Sequence, residues 1–198
     1  MNNQVDAHLI ETKLKSQALF SGSFLHAFLD TVALPDGTQA TREYVVHPGA
    51  VMIVPLLELP GQPLQLVMER QFRYPVQQVM LEFPAGKLDP KESTLQCAQR
   101  ELFEETGYSA KQWARAGVMH PVISYSTEFI EIWFAKDLSL GQRQLDPGEF
   151  LEVITQTPEA LQEACLKGLV TDGKTLTGMF WLQNYLSGRH ELTWVHAA

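Results

Sequence analysis

The stretch Gly86–Tyr108, which reads GKLDPKESTLQCAQRELFEETGY, decides the fold of this chain. From about residue 93 to residue 106 it contains good helix formers and no internal glycine or proline. Its apolar residues at helical spacing, which predict one buried stripe, are Leu95, Ala98 and Leu102. Gly107 then supplies the usual C-terminal stop. The stretch therefore predicts an amphipathic helix that follows a glycine-containing loop.

Three carboxylates share one face of this predicted helix. Glu101 and Glu105 are one turn apart, and Glu104 falls within the same wedge at about 100° per residue. Like charges at this spacing destabilise a helix by a few tenths of a kcal/mol, so the arrangement is favourable only where cations bind. Mg²⁺ prefers hard oxygen ligands and is usually held by one or two carboxylates plus substrate phosphates. The face therefore predicts a Mg²⁺ site, with Mn²⁺ as a substitute.

Two neighbouring features support a built site rather than a solvated acidic helix, which is the ordinary reading of a charge run. Arg100 and Glu104 are i, i+4 partners, which predicts an organising ion pair. The segment Pro84-Ala85-Gly86 lets the backbone come close, so we expect the carbonyl of Ala85 to join the coordination shell.

Composition excludes several functional classes. The chain has 198 residues, of which 45% are hydrophobic, enough for one ordinary domain with a smaller attachment. A net charge of -8 argues against a nucleic-acid partner, because such binding needs a basic patch. The two cysteines, Cys97 and Cys165, suggest neither a zinc site nor a disulfide framework. Without a signal peptide or a long apolar run, we expect a cytoplasmic protein with no membrane association.

Strand and turn signals lie on both sides of the central helix. Strands are expected near residues 23–30, 42–46, 51–56, 64–70, 79–83, 116–119, 128–134 and 151–155, and further helices near 158–167 and 174–186. This order predicts an α+β fold, a mixed β-sheet sandwiched between α-helices, with a small N-terminal β-hairpin element. We assign residues 1–47 to that element and 48–198 to the main domain. Because a lone hairpin is marginal in water, we expect it to pair either with its own core or with a second subunit, and we favour the second subunit.

The fixed positions of the central stretch resemble the Nudix box at every specified residue: Gly86, Glu92, Arg100, Glu101, Glu104, Glu105 and Gly107. At typical residue frequencies of roughly one in twenty, a match at all seven positions arises by chance on the order of once per billion starting positions in a sequence. Flanking pieces are similar to the ADP-ribose pyrophosphatase subgroup of Nudix hydrolases. They are Arg42-Glu43, His47–Val51, Gln71–Pro75, Leu81–Gly86 and Thr171–Thr175.

The resemblance implies a Nudix fold and a homodimer whose N-terminal strands cross to the partner. It also implies metal-dependent hydrolysis of the pyrophosphate bond of ADP-ribose, or a related nucleoside diphosphate sugar, to AMP and ribose 5-phosphate. The site residues it implies are Arg42, Arg73 and Glu82 for substrate, and Ala85, Glu101 and Glu105 for metal. For Arg42 and Arg73 the alternative is an ordinary surface ion pair.

The loop that carries the general base in this subgroup has a different sequence in this chain. The expected loop, similar to Asp-Glu-x-Glu, reads Asp146-Pro147-Gly148-Glu149-Phe150 here, with proline at one acidic position. Glu149 is the first candidate for the base, Glu128 the second and Glu104 the third. Metals alone could also activate the water, so the assignment stays open.

Two other functions remain open at this stage. One is a Nudix hydrolase for another diphosphate, such as GDP-mannose or a dinucleoside polyphosphate. The other is a noncatalytic regulator that binds ADP-ribose, against which the intact Glu101, Glu104 and Glu105 argue.

Overall fold

The computed structural model describes residues 6–145 and 147–197, and the chain divides into two compact units. The first unit contains the described residues up to Pro48 together with Val122–Glu128, and the second contains Gly49–Pro121 and Phe129 onward. Residues 1–5 of the predicted N-terminal element, and Asp146 of the candidate base loop, lie outside the described residues. The assignment of residues 1–47 as an element exchanged across a dimer stays a prediction.

The first unit contains an antiparallel sheet of three strands in the order β1-β2-β3. Their bounds are β1 Thr12–Ser21, β2 His26–Ala33 and β3 Gln39–Val46. Strands β2 and β3 form the predicted hairpin, with Asp36 accepting a hydrogen bond from the Thr38 amide in its turn. The expected strand start at residue 23 was wrong, because Gly22 and Leu25 are hydrogen-bonded across the tight turn between β1 and β2. Strand β1 was not predicted.

The second unit is built on an eight-stranded mixed sheet. Its strands are β4 Ala50–Leu57, β5 Gln65–Arg73, β6 Gln78–Glu82, β7 Ala85–Lys87, β8 Tyr108–Met119, β9 Ile130–Leu140, β10 Leu151–Gln156 and β11 Trp194–His196. The main order is β10-β5-β4-β9-β8-β11, with β6 beside β5 and β7 beside β4. The pair β4–β9 is parallel and the other pairs are antiparallel, so the sheet is mixed as predicted.

Helices cover both faces of this sheet: α1 Thr94–Thr106, α2 Pro158–Leu166 and α3 Gly173–Leu186. Successive β4 residues point to opposite faces, so Met52 and Val54 pack in a cluster with α2 and α3 residues. Val51 and Ile53 pack instead with α1 residues. This two-sided core confirms the predicted fold class. No helix in the described part of the chain has both the length and the apolar character needed to span a bilayer.

Helix α1 confirms the prediction from its sequence. Ser93 and Gln96 form a capping box, in which the Gln96 amide donates to Ser93 and the Ser93 amide donates to Gln96. Gly107 ends the helix in the left-handed region at φ 79°, a conformation that glycine adopts without steric cost. The cap and the stop fix the helix register, and with it the face on which the three glutamates lie.

Candidate active site

Two carboxylates of α1 lie directly against strand β7. The Ala85 amide donates to Glu105 Oε2 at 3.1 Å. A Cβ atom added to Gly86 would collide with the Glu101 carboxylate, so only glycine leaves room for that group. The predicted metal residues Ala85, Glu101 and Glu105 are therefore brought together at one place.

Arg100 balances the acidic residues on the solvent side of the same helix. Its Nε and Nη2 donate to the two oxygens of Glu92, each at 2.9 Å. Its Nη1 donates to Glu101 at 2.8 Å and to Glu104 at 3.0 Å, so the predicted Arg100–Glu104 pair is present. The Lys87 carbonyl accepts a further bond from Nη2. Arg100 is thus an organising residue whose donors are directed at the protein itself.

Glu69 and Glu105 are buried carboxylates that accept no hydrogen bond from an arginine, and Glu101 is a third, largely buried carboxylate that does bond to Arg100. Burial first, and then the charge of Glu82, raise the pKa of Glu69 to about 8. Burial likewise raises the pKa of Glu101 to about 7, although Arg100 opposes the shift. Burial, followed by the charges of Glu69 and Glu101, raises the pKa of Glu105 well above its ordinary value. The protein's own groups therefore do not fully offset the negative charge that this cluster has when all three carboxylates are ionised.

A separate network places Arg73 beside these carboxylates. Arg73 Nε and Nη2 donate to the two oxygens of Glu82, each at 2.8 Å, in a fork typical of arginine and carboxylate. The Lys174 ammonium also contacts Glu82 and lies 3.0 Å from Asp172. Burial opposes ionisation of Glu82, but the bonds from Arg73 and the charge of Lys174 outweigh it, so its pKa is lowered. Glu82 therefore remains ionised and orients two cationic side chains.

The start of α3 is tied to the same network. Asp172 caps the helix by accepting from the Thr175 amide at 3.0 Å and from the Thr175 hydroxyl at 2.7 Å. The Thr175 oxygen in turn accepts from the Phe83 amide at 3.1 Å. These bonds hold Lys174 over Glu82 and give the segment Thr171–Thr175, noted in the sequence, a positional role.

The three candidate bases lie in different surroundings. Glu149 is partly buried, its Oε1 is 3.3 Å from Gln71 Nε2, and its charge raises the pKa of both Glu101 and Glu105. Glu104 is engaged by Arg100. Glu128 belongs to the first unit, where it lies 3.9 Å from His47. Only Glu149 combines proximity to the metal carboxylates with freedom from an arginine partner.

Arg42, the remaining predicted substrate residue, belongs to the first unit. Its Nε donates to Glu11 at 2.9 Å, and its Nη2 also contacts that carboxylate. The Arg42 side chain remains 46% exposed, so the ion pair does not cover it fully. A substrate role for Arg42 stays a prediction.

The cluster fits a hard divalent cation that shares its ligands with a substrate. Its donors are carboxylate oxygens, and Glu69 has two buried oxygens without a hydrogen-bond partner. Across residues 6–145 and 147–197, no group of three or more His, Cys, Asp or Glu side chains forms a metal site by itself. Magnesium commonly has such an incomplete protein shell, because phosphate oxygens and water supply the rest.

Two residues of the site, one acidic and one basic, were not predicted from the sequence. Glu69 follows the buried residues Val67 and Met68, so a charged residue inside an apolar strand was the available signal. Lys174 lay in a recognised segment, but its long side chain gave no indication that it would reach Glu82.

A family model described as NUDIX domain matches residues 46–176 of the chain. A Bacillus subtilis ADP-ribose pyrophosphatase is 33% identical over 177 residues, which cover 88% of this chain and 94% of that protein. A Bacillus methanolicus methanol dehydrogenase activator is 32% identical over 185 residues, which cover 91% and 97% respectively.

Among solved structures, a crystal structure of an ADP compounds hydrolase superposes with a TM-score of 0.80. It is 22% identical, and the match covers 91% of this chain and 97% of that one. At this identity the likeness shows that the two chains share a fold.

Proposed function

The chain belongs to the Nudix family, and we propose that it is a pyrophosphatase that hydrolyses ADP-ribose, or a related nucleoside diphosphate sugar, to AMP and ribose 5-phosphate. The observation that carries the proposal is that Arg73, held in a fork by Glu82, lies close enough to Glu105 for their charges to interact, while Glu101 and Glu105 both pack against β7. Glu101 and Glu105 are suited to a divalent cation, and the arginine is suited to a diphosphate. Similarity to an ADP-ribose pyrophosphatase over most of both chains supports this substrate class.

The residues have separate roles in the proposed reaction. Glu101, Glu105 and the carbonyl of Ala85 would hold Mg²⁺, for which Mn²⁺ can substitute. The cation would supply charge neutralisation at the phosphate oxygens and a lowered pKa for bound water. Arg73, held by Glu82, presents a planar donor to a phosphate oxygen or to the adenine ring.

Hydrolysis requires one water and no covalent enzyme intermediate. The water oxygen bonds to one phosphorus while the bridging P–O bond breaks and its electrons stay on the departing phosphate. Glu149 would accept the water proton, because it lies by the metal carboxylates and no arginine occupies it. Glu104 is the less suitable base, since Arg100 already uses its carboxylate.

We also propose that the enzyme is a cytoplasmic homodimer to whose sites Arg42 contributes across the interface. All ten residues of β1 are exposed, including the apolar Leu14, Leu19 and Phe20, which supports a role for this strand in association. Arg42→Ala should mainly raise KM. Mixing it with Glu105→Gln should restore part of the activity if each site combines residues from two protomers. No recovery in verified mixed dimers would contradict the shared site.

The proposed reaction is tested with the full chain, Mg²⁺ and a panel containing ADP-ribose, GDP-mannose and dinucleoside polyphosphates. Products are identified by chromatography and mass spectrometry, with an EDTA-treated sample as the control. We expect AMP and ribose 5-phosphate from ADP-ribose only when metal is present. Brisk turnover of another compound without turnover of ADP-ribose would reject this substrate and favour a different Nudix specificity.

A second candidate function follows from the similarity to a methanol dehydrogenase activator. In that case the chain would raise the activity of an alcohol dehydrogenase. Adding it to such a dehydrogenase, with Glu105→Gln as the control, distinguishes a hydrolysis-dependent effect from one that needs only binding.

A further inference from the structure

Glu69 is a buried carboxylate for which the proposed reaction has so far no use. It lies on β5, is 0% exposed, and neither of its carboxylate oxygens has a hydrogen-bond partner. Arg73 Nη2 comes to 4.0 Å from Oε1, but the guanidinium donates its hydrogen bonds to Glu82. A buried charge without a partner is costly, so this position needs a physical reason for its acid.

The surroundings of Glu69 are acidic. Glu82 is its direct partner in the β5–β6 register. The charge of Glu69 is the largest cause, after burial, of the raised pKa of Glu105, so these two carboxylates lie close enough for their charges to interact. Glu149 adds a further negative charge that acts on Glu69. The charges of Arg73 and Lys174 offset part of this negative charge, and the remainder would favour a cation near Glu69 and Glu105.

Two simpler explanations for Glu69 are less satisfactory. A core position next to Met68 would be filled better by an apolar side chain, which loses no hydration on burial. The ion pair with Arg73 is long, at 4.0 Å, because the guanidinium donates its short hydrogen bonds to Glu82, so it offsets the charge of Glu69 without satisfying its oxygens. A hard cation from solution satisfies orphan oxygens that the protein's own donors leave unused.

We propose that Glu69 is a further ligand of the divalent-cation site and binds, together with Glu105, a cation at the β5 side of α1. This inference rests on the proposed function, since Glu105 is the carboxylate that both assignments share. It extends the predicted ligand set from α1 and β7 to a strand outside the central sequence stretch.

The test is a calorimetric titration of the EDTA-stripped full chain with MnCl₂ in the absence of nucleotide. Glu69→Gln should weaken Mn²⁺ binding at least tenfold or remove one bound ion. Glu69→Asp, which keeps the charge on a shorter side chain, should recover part of the affinity. The matched control is Glu152→Gln on neighbouring β10, whose carboxylate is 63% exposed and paired with Arg70, and it should bind within twofold of the wild type.

Thermal melting supplies a second readout that does not depend on catalysis. Without metal, Glu69→Gln should melt at or above the wild-type temperature, because it removes a buried acid whose ionised form is unfavourable. The rise in melting temperature on adding Mn²⁺ should be smaller in this variant than in the wild type. A variant that melts lower by the same amount with and without metal would show a structural role and overturn the inference.

Glu105→Gln separates failure of this inference from failure of the proposed function. If Glu105→Gln loses Mn²⁺ affinity and Glu69→Gln keeps it, Glu69 is not a ligand, while the proposed metal-dependent function stands. If Mn²⁺ binding is unchanged in both variants, the cation does not bind at this cluster and both proposals fail.

Discussion

Two acidic groups near α1, one around Arg100 and the other around Glu105 and Glu69, differ in how their charge is balanced. Around Arg100, the carboxylates of Glu92, Glu101 and Glu104 accept hydrogen bonds from a single guanidinium. Around Glu105, the neighbouring Glu69 has no hydrogen-bond partner for its two buried oxygens. The ionised form of the same residue type is therefore balanced by an arginine in one region and lacks such a balance in the other.

The pKa values express this difference in physical terms. Hydrogen bonds from Arg100 lower the pKa of Glu92 to about 2, so the Glu92 carboxylate stays ionised and paired with Arg100. Burial raises the pKa of Glu69 to about 8, so the ionised form is unfavourable until a cation arrives. The first region organises the helix, and the second is suited to binding an ion from solution.

The largest effect is expected for Glu105→Gln. This change removes a carboxylate from the group around Glu105 and Glu69, which we call the unbalanced region. The kcat for ADP-ribose should fall at least about a hundredfold, equivalent to roughly 2.7 kcal/mol of transition-state stabilisation. Metal-free folding stability should not fall, because the variant relieves repulsion. Steady-state kinetics and thermal melts measure the two effects, and near-normal turnover would refute Glu105 as a metal ligand.

Arg100→Lys tests the balanced region, which is the group of carboxylates that accept hydrogen bonds from Arg100. A lysine cannot reproduce the two-pronged contact with Glu92 together with the bonds to Glu101 and Glu104. We expect the free energy of unfolding to fall by about 2 kcal/mol whether or not metal is present. Urea denaturation with Mg²⁺ and with EDTA provides the measurement. Loss confined to the metal-bound form would mean that Arg100 also serves the unbalanced region.

Gly86→Ala perturbs the contact between α1 and β7 without changing any charge. The new methyl group would displace the Glu101 carboxylate, which is the flexible part of the contact, so folding should be largely retained. We expect about a tenfold loss of Mn²⁺ affinity, equivalent to about 1.4 kcal/mol. Gly173→Ala is the matched control, since a Cβ there meets nothing within 4 Å. Equal affinities of the two variants would show that Glu101 is not needed in its present position.

A smaller effect is expected from pH. Glu69 and Glu101 have folded-state pKa values of about 8 and about 7, above the ordinary 4.5. Between pH 4.5 and these folded-state pKa values, the folded state binds more protons than the unfolded state. The free energy of unfolding without metal should therefore fall as pH rises through this window, and the loss should be complete once pH has passed about 7 and about 8. Saturating Mg²⁺ should reduce this loss, because it binds the deprotonated carboxylates. Melting temperatures from pH 5 to 9, with EDTA or Mg²⁺, measure a shift of a few degrees; parallel curves would contradict the account.

Local sequence signals predicted the elements on which the site is built. Helix α1, its Gly107 stop and the Arg100–Glu104 pair follow from helix propensity, capping and i, i+4 spacing, which act over a few residues. The mixed sheet between helices followed from the order of strand and helix signals.

Strands with weak local signals were missed or shortened. Strand β1 has no buried residue, so no apolar alternation marks it, and it forms because β2 offers a partner edge. Strand β8 begins at Tyr108, far before the predicted start at residue 116, and a register shift between Arg115 and Gly117 interrupts its alternation. Pairing between distant segments supplied what local composition did not.

Two site residues were not predicted from the sequence for the same physical reason. Glu69 and Lys174 acquire their roles only when β5, β6 and the start of α3 come together around Glu82. Neither residue lies at a spacing that would relate it to the glutamates of α1, so a motif-based reading assigned them no chemistry.

A crystal structure of the full chain with ADP-ribose and a cation that supports only slow turnover would show whether a cation at Glu105 joins the enzyme to the pyrophosphate. We predict cation density bound by Glu105 and in contact with the pyrophosphate, with Arg73 at a phosphate oxygen or the adenine ring. A pyrophosphate bound elsewhere, with the carboxylates of Glu69 and Glu105 facing each other and no cation between them and the nucleotide, would contradict it.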